Sequence, residues 1–168
     1  MINHKPVLLK EVIDFLEVTR GVYLDATVGE GGHSLEILRR GGVILGIDAD
    51  EQSLKRAREN LESWKGKFKL VEGNFASLDR IAKRAGYDKF DGIIFDLGLT
   101  ISQQRNVERG FSFSGDGPLD GRLSPKLQSV KARDLLNILS KKQLYELFSK
   151  VLDIRFSRAL SESIVRAR

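Results

Sequence analysis

Four short apolar runs, each of the first three followed by a segment of helical periodicity, constrain this 168-residue chain more than any other feature. "VYLDATV" (22–28) is apolar and β-branched and reads as a buried strand. "HSLEILRRGG" after it reads as a helix, with Leu35, Ile37 and Leu38 apolar, Ser34 as its N-cap and Gly41 as its stop. "GVILGIDAD" (42–50) is a second strand. "DEQSLKRARENLESW" is then a helix capped by Asp50, with Leu54, Ala57 and Leu61 at i, i+3 and i+7. "KFKLVEGN" gives a third strand, "LDRIAKRAG" a short helix, and "FDGIIFDLG" (90–98) a fourth strand. Strands separated by helices pair in parallel, so the order predicts an α/β fold with helices on both faces of the sheet. "VLLKEVIDFL", ahead of the first strand, reads as an amphipathic helix.

After Gly98 the pattern stops. "LTISQQRNVERGFSFSGDGPLDGRLSPK" has no clear periodicity, and so long a loop in a compact domain is a functional-loop candidate. The remainder, "SVKARDLLNILSKKQLYELFSKVLDIRFSRALSESIVRAR", is helical by pattern and offers no further strand. The chain is thus expected to divide into a core over residues 1–100 and a loop-plus-helix segment over residues 101–168. Charge divides at the same place. Residues 1–100 hold 15 Lys/Arg against 16 Asp/Glu, whereas residues 101–168 hold 13 against 7. A basic half beside a neutral one fits a polyanionic partner, nucleic acid first, as well as a solvated helical surface.

Composition removes several chemistries. With no cysteine there is no disulfide, thiolate metal site or cysteine nucleophile, and with two histidines a His-rich metal centre is not expected. No apolar stretch approaches the roughly 20 residues that span a bilayer, and "MINHKPVLLKEV" lacks the parts of a signal peptide. The expected location is the cytoplasm, with no membrane partner.

The turn "DATVGEGGHS" (25–34) sits between the first strand and the first helix after it, where open α/β sheets bind nucleotide-like ligands. Glycines let a ligand reach the main chain, and the following helix offers free N–H groups. Its spacing, Gly29-Glu-Gly31-Gly32, is not the G-x-G-x-x-G that cradles a pyrophosphate. Glu30 would repel such a phosphate, so a cationic ligand without phosphate, S-adenosylmethionine above all, suits the turn better. Asp48, 19 positions after Gly29 and at the end of the second strand, is positioned to accept from both ribose hydroxyls. Phe75 follows the third strand, either against an adenine ring or simply as a core aromatic. Asp96 ends the fourth strand, where it would hold a methionyl amine or a substrate amino group.

"HKPVLLKEV", "LDATVGEGGHS", "GIDAD", "GNF", "FDGIIFDLG" and "ERGFSFSGDGPLDGR" resemble, in order, the motifs of the MraW/RsmH methyltransferases. The resemblance runs from His4 to about Arg122 and more loosely to Arg168. It implies a Rossmann-like S-adenosyl-L-methionine-dependent methyltransferase fold with a helical RNA-binding insertion after strand four. The implied activity is methylation of the N4 amine of a cytosine in small-subunit (16S) ribosomal RNA. The implied cofactor contacts are Gly31, Gly32, His33, Asp48, Phe75, Asp96 and Gln103, with Asp96 also the catalytic candidate. "ERGFSF" and "GPLDGR" become a substrate-side loop with Arg109 and Arg122 as phosphate contacts.

This chain also departs from the family's pattern. It has "DLGLTISQ" where the family reads DLG-V-S-S-P-Q, "DGRL" for Asp-Met-Arg-Met, and "VLDIRF" for Tyr-Gly-Glu-Glu. Members are nearly twice as long and add three more strands, so an incomplete sheet of about four strands is expected here. Cytosine's exocyclic nitrogen is a poor nucleophile that must be oriented and relieved of a proton, and its base must leave the stack. An enzyme, a non-catalytic remnant that binds cofactor or RNA, and one piece of a split protein are therefore all consistent with the sequence. A nicotinamide site is disfavoured by Glu30 and the glycine spacing. An apolar fourth strand at a sheet edge would call for a cover, by a second copy in a homodimer or by a complementing chain.

Overall fold

The computed structural model describes residues 6–168. His4 and Lys5 of the first motif lie outside the described residues. The chain divides into two compact units, Met1–Ile101 and Ser102–Arg168.

The first unit is built on a four-stranded parallel sheet: β1 (Val22–Asp25), β2 (Val43–Asp48), β3 (Phe68–Glu72) and β4 (Gly92–Ile94), in the order β3-β2-β1-β4. Tyr23 pairs with Ile44 on one side and Gly92 on the other, and Leu24 with Leu45 and Ile93. Between the strands run α1 (Leu9–Phe15, ahead of β1), α2 (Gly32–Arg39), α3 (Glu51–Leu61) and α4 (Leu78–Ala85). Strand residues alternate between two cores because successive side chains point to opposite faces. Tyr23, Ile44 and Ile94 join Ile13, Ile37, Leu38 and Leu61 of α1, α2 and α3 on one face. Leu24, Leu45 and Ile47 meet Ala82 of α4 on the other. This is the α/β architecture that the alternating pattern predicts.

The strands are shorter than the apolar runs. β1 stops at Asp25 and β4 at Ile94, so Asp96 lies two residues beyond the strand it was expected to end. Ser34 is not the N-cap of α2. Gly31 holds that position in the left-handed region (φ 86°), and a Cβ there would press to 3.3 Å from Leu61. Asp50 does cap α3, its carboxylate accepting from the Gln52 N–H. Gly41, at φ 92°, ends α2 as predicted.

The second unit contains α6 (Ala132–Ile138), α7 (Lys141–Phe148) and α8 (Ile154–Ala167). The segment read as an uninterrupted loop begins instead with helix α5 (Ile101–Arg105) and a 3-10 turn over Val107–Arg109. No described helix is long and apolar enough to cross a membrane.

Candidate functional site

In a sheet ordered β3-β2-β1-β4, β1 has its sequence successor on one side and β4 on the other, and the crevice beyond the carboxyl ends at such a reversal is where open sheets take ligands. Four strand ends reach that edge. The glycine turn follows β1, Asp48 closes β2, Phe75 sits three residues after β3, and Asp96 two after β4.

The turn is tied to β2 by Asp48. Its Oδ2 accepts from the Gly29 N–H (2.8 Å) and its Oδ1 from the Asp50 N–H (2.9 Å). A carboxylate has about four lone-pair sites, so with the Ala49 backbone also in contact at least one remains for a further donor such as a ribose hydroxyl. Burial pushes the Asp48 carboxyl up, and these N–H contacts pull it partly back. Phe75 lies in a 3-10 turn, more than two-fifths exposed, with its ring edge-on to Phe95 at 5.8 Å. It is no core aromatic, and a flat apolar surface remains open beside Asn74.

Asp96 is held by its main chain, whose N–H donates to Thr27 Oγ1 (2.7 Å), while its side chain stays exposed. His33, buried in the first turn of α2, places Nε2 3.1 Å from the Val7 carbonyl. A carbonyl only accepts, so Nε2 carries the proton and Nδ1 is the atom that faces Asp96 Oδ2, at 3.9 Å. Among the described residues no cluster of three or more His, Asp or Glu is arranged for a metal ion.

The carboxylate inside the turn has a different role from the one expected. Glu30 is nearly buried and meets Arg56 of α3 at 2.8 Å, while Asn60 Nδ2 donates to its carbonyl (2.9 Å). It fastens the start of α2 to α3, and its charge is matched within the fold. Discrimination against a pyrophosphate therefore rests on the glycine spacing. Gly32 also has an internal reason to be glycine, since a Cβ there would lie 2.2 Å from Pro6 Cγ.

Asp25, Thr27, Arg56 and Asn60 escaped the sequence reading. Asp25 is almost wholly buried at the end of β1, where Ser34 Oγ donates to it (2.8 Å) and the Thr27 N–H more weakly (3.3 Å). Burial dominates and pushes its carboxyl up to about 6. The signal lay in the motif itself: an acid at a strand end with a hydroxyl in the next helix's first turn.

Gln103, on α5, lies in the second unit with Arg109 and Arg122. Both arginines have partners within their own loop. Arg109 Nη2 donates to the carbonyls of Arg122 (3.2 Å) and Leu123 (2.8 Å), and its guanidinium lies 5.7 Å over the Phe111 ring. Arg122 grips Asp120 with two nitrogens, at 2.7 and 2.8 Å, and holds that carboxyl down to about 2. "ERGFSF" and "GPLDGR" cross at Gly110, where a Cβ would strike the Pro118 carbonyl.

A model of the MraW methylase family matches residues 1–168. This chain belongs to the MraW methylase family. It is 39% identical over 168 residues to the ribosomal RNA small subunit methyltransferase H of Carboxydothermus hydrogenoformans, covering 99% of this chain and 54% of that relative. The enzyme of the same name from Pseudothermotoga lettingae is also 39% identical, over 99% of this chain and 59% of its own length. This MraW-family chain thus spans little more than half the length of the curated relatives it matches. A solved rRNA methylase from Streptococcus thermophilus is similar over 58% of this chain and 57% of that one, at 24% identity and a TM-score of 0.46, too loose a likeness to carry function.

Proposed function

We propose that the chain forms the cofactor-binding and substrate-loop part of an S-adenosyl-L-methionine-dependent methyltransferase acting on the N4 amine of a cytosine in small-subunit ribosomal RNA. The observation that carries this reading is Asp48. It ends β2 with its two oxygens held by the Gly29 and Asp50 N–H groups and acceptor capacity to spare, which suits a ribose hydroxyl. An open aromatic face at Phe75 and an exposed carboxylate at Asp96, on the same edge of the sheet, suit an adenine and a cationic amino-acid end. Gly31, Gly32 and His33 complete the cofactor side with their main chain at the start of α2. When bound, the cofactor supplies an electrophilic methyl group on sulfur.

The chain's own task is to present the amine. Asp96, with one oxygen toward the cofactor's amine, would orient the N4 group with the other and accept its proton as the methyl–sulfur bond gives way to the new N–C bond. In the second unit, Arg109 and Arg122 act chiefly by shaping the substrate loop, and the cations that remain exposed, among them Arg105 and Arg133, meet the phosphates. The exposed side chains on β4 and just after it, Ile93 and Phe95, call for a cover, and we assign that role to a second copy or a complementing chain. Ile94 belongs to the core, so Ile93→Lys is the variant that tests the edge. It should lower self-association in sedimentation velocity and leave the melting curve intact. A wild type that sediments as a monomer at every concentration removes that assignment.

Calorimetry tests the cofactor reading. S-adenosylhomocysteine should bind and NAD should not, and Asp48→Ala should weaken binding by about 1–3 kcal/mol. NAD bound in preference, or binding indifferent to Asp48, refutes it.

A further inference from the structure

The second unit carries a cleft that the proposed cofactor site does not use. It lies between α7 and α8, is open to solvent, has a volume of about 580 Å³, and is lined by Lys141, Lys142, Tyr145, Arg158, Ser161 and Glu162. Three cations thus face one carboxylate. Lys141 Nζ pairs with Glu162 Oε1 at 2.6 Å, and that contact holds the Glu162 carboxyl below its usual range. Glu162 therefore stays ionised at neutral pH and answers Lys141. Lys142 and Arg158 are left as the cleft's surplus charge. Lys142 approaches Glu146 only to 3.9 Å on an exposed flank, a pair of little worth in water. Arg158 forms no hydrogen bond or salt bridge among the described residues and reaches Glu162 only through space.

On the α8 side the cleft wall includes one small residue, Ser161. Ser157 and Ser161 are fully buried and turn their hydroxyls onto their own helix, Ser157 Oγ to the Asp153 carbonyl (2.9 Å) and Ser161 Oγ to the Ser157 carbonyl (2.6 Å). Neither asks for a partner in the cleft, which leaves its polar demand to the two cations and its flat wall to the Tyr145 ring. A phosphate group alone would leave most of this volume unfilled. A phosphate joined to a planar base occupies a larger share of it.

We infer that the α7–α8 cleft holds a stretch of single-stranded RNA, with a phosphodiester between Lys142 and Arg158 and an adjoining base against Tyr145. An arginine fork and a lysine point charge are the usual pair for a phosphate, and an aromatic ring beside them is how single strands are held without reading their sequence. The inference rests on the proposed reading that the chain handles RNA, and it adds a grip on the strand within the helical unit.

The test is fluorescence anisotropy with a labelled single-stranded oligoribonucleotide at several salt concentrations. Lys142→Gln and Arg158→Gln should each flatten the slope of log affinity against log salt by about 0.7, as for one lost phosphate contact on a single strand. Arg158→Lys should keep the slope, and Tyr145→Leu should weaken binding roughly tenfold with the slope unchanged. Lys89→Gln, on the first unit, should change neither. Excess adenosine monophosphate should leave the strand bound. No RNA binding by the wild type, wild-type slopes in both glutamine variants, or displacement by the mononucleotide would overturn the inference. Calorimetry with S-adenosylhomocysteine separates it from the cofactor reading. A wild type that ignores this ligand yet binds RNA through Lys142 and Arg158 retires the cofactor site and leaves the cleft standing.

Discussion

The sharpest prediction concerns Asp25, whose carboxyl is buried at the end of β1 with a pKa near 6 against an ordinary 3.8. A raised pKa means that the folded state holds this proton more tightly than the unfolded chain. Below about pH 4 the group is protonated in both states and folding is unpenalised. Between about pH 4 and pH 6 the unfolded state releases the proton first, so stability falls as pH rises. Above the folded pKa the loss is complete. A shift of this size corresponds to about 3 kcal/mol.

Asp25→Asn removes the charge while keeping an oxygen for the Thr27 N–H and an NH2 that Ser34 Oγ can accept. The variant should match the wild type near pH 4 and exceed it by about 2–3 kcal/mol at pH 7 and above. Urea unfolding followed by Trp64, the chain's single tryptophan, reads the first unit, because that ring packs beside the core of α1, α2 and α3. The quantity to plot is the difference between variant and wild type against pH, which cancels every other titrating group. A difference flat to within a few tenths of a kcal/mol across that range would refute the account of Asp25. Asp25→Ala separates charge from hydrogen bonding. It leaves Ser34 Oγ and the Thr27 N–H without their acceptor and should cost about 1–3 kcal/mol relative to Asp25→Asn.

Gly31→Ala should destabilise the first unit by about 1–2 kcal/mol, since φ 86° is strained for any residue with a Cβ and Leu61 stands 3.3 Å away; chemical denaturation measures it. Gly110→Ala should do more harm, because backbone atoms of Pro118 and Asp120 occupy the space; the loss should appear as proteolytic nicking between 106 and 128. Arg122→Lys should loosen the same segment by replacing a two-nitrogen grip on Asp120 with a single point charge, visible as faster amide exchange. The wild-type pair should weaken as pH falls through the ordinary carboxylate range toward 2, because the lowered Asp120 carboxyl contributes only while ionised.

The strands and the helices between them were legible because burial on both faces of a parallel sheet writes itself as apolar runs, and α3 even declared its cap in Asp50. Strand ends were not, since hydropathy continues past the last ladder bond: Phe95 is apolar yet half-exposed, and β4 has already stopped at Ile94. Ser34 looked like a cap by type and position, but a left-handed Gly31 starts the helix and leaves the hydroxyl for Asp25. Helix α5 was hidden because "ISQQR" has one apolar residue and so no stripe to count. The Glu30–Arg56 and Arg109–Leu123 contacts join positions 26 and 14 residues apart, and no local pattern encodes them. The candidate site was read at its strand ends and missed where partners come from elsewhere in the chain.

On the proposed RNA reading, the crossing of the two loop motifs at Gly110 bears on how a strand is met. Arg109 spans two carbonyls, Arg122 ties Asp120 and the Gln128 carbonyl together, and the Gln128 side chain returns to the Leu123 N–H. Such a segment gives up its conformational freedom when the protein folds, so a strand arriving at it has little left to freeze. Association should then be fast and governed by ionic strength, and alterations in the knot should shorten the lifetime of a complex more than they slow its formation.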